Sequence, residues 1–552
     1  MKNLFDKKNL RGDLFGGITA GVVAIPLALA FGSSSGMGAI YGLYGAFAIG
    51  IVAAIFGGTP TQISGPTGPM TVISAIVVAA AISEFGSLQA GLGLIVACFL
   101  ASGAIQVLMG VLGMGRFIRY IPYPVLSGFM TGIGVIIIIL QIFPTFGIGS
   151  PSSPLKVIQT LGNLAGNMNF VELALCLATV VVIYTFPRIT KAVPSALVAL
   201  IALTAVAAIF ELDVRLIADE KGGVPKGFPK ILLGTLSDVT SAHIMLVIKF
   251  GAMLAALGAI DSLLTSVVAD KVTRTRHNSN QELIGQGLGN LTSACIGGLP
   301  GAGATMRTVV NVNAGGRNKI SGVVHGVLLL LLLLGLGPLA NKIPFSVLAG
   351  ILITVGVGIV DRKGFKDMKV VPRTDIAILW VVLLLTVFWN LLYAVAIGVF
   401  MAFIFSIKKN GFGGTMSMIG AAERAAKADG AAKTGEVHLH TLKGPQFFGT
   451  VFAFRDVVSK FPESKFVVLN LTDVTEFDQS AAYGLGDALL DLVDGDVTPL
   501  LVSPDNANVK LLEDTNVISG TVPKNLVFAD VKECAEWLKA NGGEDGAKVL
   551  EA

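Results

Sequence analysis

Two short runs decide the reading of this chain: Ser64-Gly65-Pro66-Thr67-Gly68-Pro69-Met70-Thr71 and Gly301-Ala302-Gly303-Ala304-Thr305-Met306-Arg307-Thr308. Both are made of small and hydroxyl-bearing residues, and both interrupt strongly apolar sequence. The runs leading into them correspond as well. Gly42-Leu43-Tyr44-Gly45 leads to Gly57-Gly58-Thr59-Pro60, and Glu282-Leu283-Ile284-Gly285 leads to Gly297-Gly298-Leu299-Pro300. At one fixed offset Leu43 aligns with Leu283, Gly45 with Gly285 and Ala54 with Ala294, and the two Gly-Gly-x-Pro breaks coincide. Paired membrane segments broken by glycine or proline at corresponding places in two halves point to the binding site of a secondary transporter.

Composition fits that reading. Of 552 residues, 53% are hydrophobic and 14% charged, against about 25% charged in soluble proteins, so lipid solvates most of the chain. The 67 glycines suit close helix packing in a bilayer. Cys98, Cys176, Cys295 and Cys534 show neither disulfide nor metal-ligand spacing. The basic start, Met1 to Arg11, leads into an apolar run without a small-residue cleavage site, which reads as a tail before a first span.

Outward from the two runs, apolar segments fall near 14–31, 38–57, 66–82, 91–113, 122–142, 170–187 and 193–210. A second set falls near 248–269, 281–297, 303–314, 320–340, 345–360, 374–390 and 391–407. The expected fold is therefore an α-helical membrane protein of fourteen spans, arranged as seven plus seven inverted repeats (13–210 and 245–408 within a transport domain 13–408) after a tail of residues 1–12. Segments three and ten look too short and too polar at their beginnings for full spans of ~20 residues, and are expected to be half-helices. Placing the N-terminus inside puts Arg116, Arg119, Arg188, Lys191, Lys271, Arg274, Arg276, Arg317, Lys319, Arg362, Lys363, Lys366, Lys369 and Arg373 on the cytoplasmic face, as the excess of basic residues in inner loops requires. Both termini are then cytoplasmic, in a plasma (inner) membrane.

Beyond 408 the composition changes. Residues 409–435 read as a linker, and 436–552 as an α/β domain with strands near 437–442, 465–471 and 499–503. Helices are expected near 448–460, 480–494, 507–514 and 529–541.

Asp261 sits within the eighth span. A carboxylate there costs at least ~2.5 kcal/mol on insertion scales and by default marks an ion or proton site. Thr265, one turn on, shares its face. Carbonyls of a broken helix near Gly303 and Thr305 would complete an oxygen shell for a hard monovalent cation. The bland reading is a structural cap or pair. The starts of segments three and ten offer unpaired N–H groups and positive dipole ends. Thr67, Gly68, Met70 and Thr71 on one side, with Thr305, Met306 and Arg307 on the other, would form an anion site. Arg307 adds a full charge and a planar donor set, unless it merely neutralises Asp261. Pro26 kinks the first span, and His243 and His325 read as isolated. Asp270 and its basic neighbours read as charges that cap and orient the end of span eight. No nucleotide loop and no nucleophile–base constellation is present, so the chain reads as a non-enzyme without an organic cofactor and without a nucleic-acid partner. In the C-terminal domain Ser480 reads as a helix-start cap, or as a phosphorylation or docking site.

These residues resemble a known family. Asp261 to Thr265, Asn278-Ser279-Asn280-Gln281-Glu282-Leu283, Gly285-Gln286-Gly287-Leu288-Gly289-Asn290 and Gly65-Pro66-Thr67-Gly68-Pro69-Met70 are similar to the SulP anion transporters, and the C-terminal part resembles a STAS domain. The resemblance implies core and gate subdomains of the UraA-like kind, a substrate site between half-helices three and ten, elevator-type motion and homodimers. Among its branches the BicA-type sodium-dependent bicarbonate transporters match best, which implies sodium at Asp261, Thr265, Gly303, Ala304 and Thr305, with bicarbonate beside Thr67. Arg307 departs from that branch and matches the arginine of anion exchangers. Gly65 replaces an acidic residue. Asp478-Gln479-Ser480 resembles the phosphorylated Asp-x-Ser of anti-sigma antagonists, which implies a regulatory protein partner. The expected function is cation (sodium or proton) symport of a small inorganic anion, bicarbonate first and sulfate second. The alternatives are an anion exchanger or channel-like pathway, and a membrane-anchored sensor without transport. A nucleobase carrier would want carboxylates on both facing segments, and the tenth has none.

Overall fold

The structure is a computed structural model that describes residues 9–541, apart from 116–120, 152, 165, 167, 191–192, 220–227, 274, 390, 411–431, 435–436, 445, 447–464 and 504–505. The expected 448–460 helix, most of the expected linker, and Arg116, Arg119, Lys191 and Arg274 lie outside the described residues. The chain divides into two compact units, one of residues 1–118 and 133–360 and the other of 119–132 and 361–552.

The first unit is helical. It contains α1 (Leu10–Ser34), α2 (Ala39–Phe56), α3 (Gly68–Phe85), α4 (Leu88–Val111), the later part of α5 (Tyr123–Leu140), α6 (Pro154–Thr160), α7 (Phe170–Thr185) and α8 (Ser195–Ile209). It continues with α9 (Ile244–Thr273), α10 (Ser279–Cys295), α11 (Thr305–Asn313), α12 (Lys319–Ala340) and α13 (Phe345–Ile359). Seven helices of the described chain are long and apolar enough to cross a membrane, and four more are apolar but shorter. These helices carry no apolar stripe with a polar back: residues are apolar around the whole circumference, as expected of segments solvated by lipid and by one another.

Two short strands interrupt the bundle. β1 (Ser64–Gly65) pairs antiparallel with β2 (Ala302–Gly303), Ser64 opposite Gly303 and Gly65 opposite Ala302. Each strand follows a glycine-rich break and precedes a helix start. The breaks lock onto one another's lead-in helices. The Glu282 carboxylate at the start of α10 accepts from the N–H groups of Gly58 and Thr59 at 2.8 Å each, and Leu299 N donates to Tyr41 O at 3.0 Å. Lys319 donates to Ile55 O and Gly57 O, satisfying carbonyls that the end of α2 leaves free.

Segment three departs from expectation. α3 has 18 residues, about 27 Å at 1.5 Å per residue, which is not a half-span. Pro69 is the reason, because it stands in the first turn, where its missing N–H costs nothing and its fixed φ starts the helix. α11 is short as expected, with nine residues, and ends at Ala314 and Gly315, the latter at φ 106.

The second unit holds the first residues of α5, α14 (Arg362–Asp367), α15 (Arg373–Phe388), α16 (Leu391–Asn410) and a five-stranded sheet in the order β3 (Ala432–Thr434), β4 (Val437–Lys443), β5 (Phe466–Asp473), β6 (Thr498–Val502) and β7 (Val527–Phe528). β3 runs antiparallel to β4 and the other pairs are parallel. β3 lies inside the stretch read as linker, and β7 was not anticipated. Continuous apolar runs on β5 and β6 mark strands covered on both faces. Leu469, Leu500 and Leu501 are fully buried, with α17 (Gln479–Asp494), α18 (Asn506–Asp514) and α19 (Val531–Asn541) supplying Leu485, Leu489, Leu512 and Leu538 to the same core.

Ser480 does not cap α17. Asp478 is the N-cap, its side chain accepting from Ala481 N at 2.7 Å, because a cap must stand outside the first helical residue to reach that N–H. Ser480 Oγ accepts from Tyr123 N at 2.9 Å, and Gln479 N donates to Asp375 at 3.0 Å. Tyr483 donates to Asp367, and burial, then that bond, push its phenol above the usual range.

Truncating Leu469 at the centre of the sheet is expected to remove about 2–5 kcal/mol from the stability of the C-terminal domain. Thermal unfolding of the Leu469→Ala protein, followed through Trp537 fluorescence, checks this; an unchanged midpoint contradicts the assigned core.

Candidate ion site at the strand crossing

The site grows out of the crossing. β1 and β2 approach so closely that a Cβ on Gly301 would overlap the carbonyl of Gly65, so this position admits only glycine. Side chains supply what the two-residue ladder cannot. Asn290 brackets Gly301, accepting from its N–H at 2.8 Å and donating to its carbonyl at 3.0 Å. Ser262 accepts from Gly303 N at 3.1 Å. Ala304 N donates to Ile63 O, and Ile63 N to Thr308 Oγ1. Buried backbone groups away from water have to be matched in this way.

Oxygens gather on the α9 side. Thr265, fully buried, donates to Gly303 O at 3.0 Å and lies 2.7 Å from Thr305 Oγ1. Asp261 is one turn earlier on the same helix face and is 7% exposed. The Thr67 hydroxyl faces this carboxylate, yet among the described residues neither Thr67 Oγ1 nor Asp261 Oδ2 has a partner of hydrogen-bonding geometry. A buried carboxylate oxygen without a donor is costly. One helical turn along α9, the Thr265 hydroxyl gathers the Gly303 carbonyl and the Thr305 hydroxyl, and with the carboxylate these oxygens make a donor set suited to a hard cation such as sodium.

Arg307, 2% exposed, does not occupy that oxygen. Its guanidinium donates to Pro66 O at 2.7 Å, so it fixes the carbonyl two residues ahead of α3. Guanidinium and carboxylate sense one another's charge, but Arg307 spends its hydrogen bond on the backbone. A fixed positive charge therefore stands beside the start of α3.

A cleft opens at that helix start. It has about 10 Å³ of room, on the scale of a single water, and is lined by Phe31, Ser34, Gly68, Thr71, Val72, Ala75, Ile137, Leu140 and Leu352. The structure thus brings Thr67, Asp261, Thr265, Gly303 and Thr305 together and places Gly68 and Thr71 on the cleft. Ala304 is the N-cap of α11, and its carbonyl already accepts from Thr308 N. Met70 is fully buried on the opposite side of α3, beside Gly258, and the Met306 side chain is 76% exposed, so neither side chain lines the cleft. Pro26 is buried within α1. His243 closes a capping box with Thr240, and Asp270 bonds His277 at 2.6 Å. His325 is buried, and both of its ring nitrogens lack partners among the described residues.

Sequence reasoning gave no role to the polar groups behind the crossing, Gln62, Ser262, Ser266, Gln286 and Asn290, although Ser262, Gln286 and Asn290 fall in the runs that carry the family resemblance. A signal existed. Glu282, Gln286, Asn290 and Ser293 recur at helical spacing along α10 and are all buried. In a helix at membrane depth such a stripe marks a face turned to protein.

Comparison with known proteins gives a consistent picture. Residues 10–382 match the Sulfate permease family. A bicarbonate transporter BicA of Picosynechococcus sp. is 38% identical over 98% of both chains. The solved transmembrane domain of a cyanobacterial bicarbonate transporter BicA superposes with a TM-score of 0.66 at 44% identity, covering 71% of this chain and 99% of that one. The overall structure of SLC26A9, 17% identical, shares the fold with a TM-score of 0.64 over 99% of this chain and 93% of that one.

Gly301→Ala forces a methyl group into the Gly65 carbonyl and is expected to cost about 1–3 kcal/mol or more, because backbone cannot step aside as a side chain can. Thermal melting of the purified variant checks it; an unshifted midpoint contradicts the crossing. The chain belongs to the sulfate permease family and is an integral membrane transporter, not an enzyme.

Proposed function

We propose that this member of the sulfate permease family imports a small inorganic oxyanion together with a cation, bicarbonate first and sulfate second. Similarity to a bicarbonate transporter over nearly the whole chain supports the substrate class. The observation that carries the coupling is Asp261, a buried carboxylate with an unpartnered oxygen, one helical turn from the Thr265 hydroxyl that bonds Gly303 O and Thr305 Oγ1. Sodium is the preferred cation for that oxygen set, and a proton on Asp261 is the other way to discharge the carboxylate.

The mechanism follows from the charges. With Asp261 bare, an anion at the start of α3 meets a negative charge nearby. A cation on Asp261 removes that repulsion and leaves the Arg307 charge and the helix-start dipoles to attract the anion. Each ligand then favours the other by the same coupling free energy. Anion contacts are assigned to Thr67, Gly68 and Thr71, to the backbone N–H groups of Met70 and Met306, and to Thr305 and Arg307. Cation contacts are assigned to Asp261, Thr265, Gly303, Ala304 and Thr305.

Around this site the reading is of fourteen spans in seven plus seven inverted repeats, elevator-type movement, a homodimer in the plasma (inner) membrane with cytoplasmic termini, and a C-terminal STAS domain. Ser480 is the assigned regulatory position in that domain and the docking point for a regulatory protein. A second reading is anion exchange, favoured by Arg307, which holds a buried positive charge with its hydrogen bond on a carbonyl.

Proteoliposome uptake of labelled bicarbonate and sulfate under imposed sodium or proton gradients tests both. Cation-driven uptake in the parent and its loss, by tenfold or more (about 1.4 kcal/mol), in Asp261→Asn is expected. Undiminished gradient-driven flux in that variant refutes the coupling role. Anion counterflow without any cation gradient establishes exchange instead.

A further inference from the structure

We infer that Gln62 is a positioning residue: it holds the Gly303 carbonyl at the cation site, with Glu282 as its anchor. The inference rests on the cation reading above and assigns a role to residues that touch neither ion.

Glu282 is 1% exposed. Its carboxylate takes four donors, Gly58 N and Thr59 N on one oxygen and Gln62 Nε2 (2.8 Å) and Gln286 Nε2 (2.7 Å) on the other. An ionised carboxylate only accepts, so this saturated group fixes which way the Gln62 amide faces. Nε2 must point to Glu282 and Oε1 must accept. Oε1 faces Ser266 Oγ at 2.9 Å, on the residue after Thr265, a hydroxyl whose single proton is shared with Ser262 O at the same distance.

The same amide lies flat against Gly303. A Cβ built there would overlap Gln62 Nε2, with Cδ close behind. The Gly303 N–H is held by Ser262 and its carbonyl by Thr265, so α9 grips the peptide groups on both sides of the Gly303 Cα and Gln62 backs that Cα. Three contacts thus aim one carbonyl, and Gln62 is the one that reaches past α9 to a fixed charge. Without it the Gly303 peptide can tilt away from Asp261 and Thr305. Groups that orient a metal ligand typically contribute about 10–100-fold to affinity.

The test is thermal melting of the purified full-length protein across a sodium series, with choline replacing sodium and no anion substrate added. The parent is expected to gain stability with sodium, as linkage requires of any ligand that binds the folded state. Gln62→Ala is expected to lower the sodium-free midpoint, because it leaves Glu282 and Ser266 each a partner short, and separately to raise the half-maximal sodium concentration about tenfold or more. Gly303→Ala should raise it as well, and Gln62→Ala with Gly303→Ala should recover part of that loss, since removing the amide makes room for the new methyl. Where Gln62→Ala does not purify as a single species, Gln62→Asn takes its place. It keeps the amide but cannot span Glu282 and Ser266, and the same shift is expected. A parent response to sodium with unchanged half-maximal concentrations in the variants, or losses that simply add in the double variant, overturns the role of Gln62 alone. A parent with no sodium response overturns the cation reading itself.

Discussion

Everything in the first unit depends on backbone polar groups being satisfied where two extended chains cross inside an apolar bundle. At membrane depth an unmatched N–H or C=O costs several kcal/mol, and a two-residue ladder between Ser64–Gly65 and Ala302–Gly303 matches few of them. The rest fall to side chains: Asn290 on Gly301, Ser262 and Thr265 on Gly303, Thr308 on Ile63, Arg307 on Pro66. A fold that breaks two helices in hydrocarbon therefore carries a polar lining with it. That lining is the raw material of an ion site.

The three buried charges around the crossing are handled differently, and the difference locates function. Glu282 is saturated by four donors and acts as a structural anchor. Arg307 is spent on a backbone carbonyl, and its charge remains available as a field. Asp261 alone of the three keeps a carboxylate oxygen without a partner among the described residues, one turn from the Thr265 hydroxyl that bonds Gly303 and Thr305. Buried polar atoms are nearly always paired, and an unpartnered carboxylate oxygen beside the crossing marks the place where a cation can bind. On the proposed reading a cation supplies that partner and removes the charge that would repel an anion at the start of α3.

Much of this was legible from residue types and spacing. Apolar runs located the helices, the repeated Gly-Gly-x-Pro breaks located the crossing, and Asp261 with Thr265 followed from a carboxylate one turn from a hydroxyl. The length of α3 was misread because Pro66 and Pro69 look like breakers, whereas Pro69 starts the helix from within its first turn. Met70 and Met306 stand in the anion set through their backbone N–H groups at the helix starts; a helix sends successive side chains about 100° apart, and neither of their side chains lines the cleft. Of the two readings of Ser480, the cap gives way to Asp478, two residues earlier, whose side chain reaches the Ala481 N–H. Gln62 and Ser262 were invisible for another reason. Their partners lie about 40–220 residues away in the chain, and no local pattern encodes which distant backbone group an amide will meet.

The most direct measurement is an experimental structure of the protein soaked with thallium(I), a monovalent ion with a strong anomalous signal. The account predicts a single anomalous peak enclosed by Asp261 Oδ2, Thr265 Oγ1, Gly303 O and Thr305 Oγ1. An empty crossing, or a peak held by other groups while those four oxygens remain bare, would contradict it.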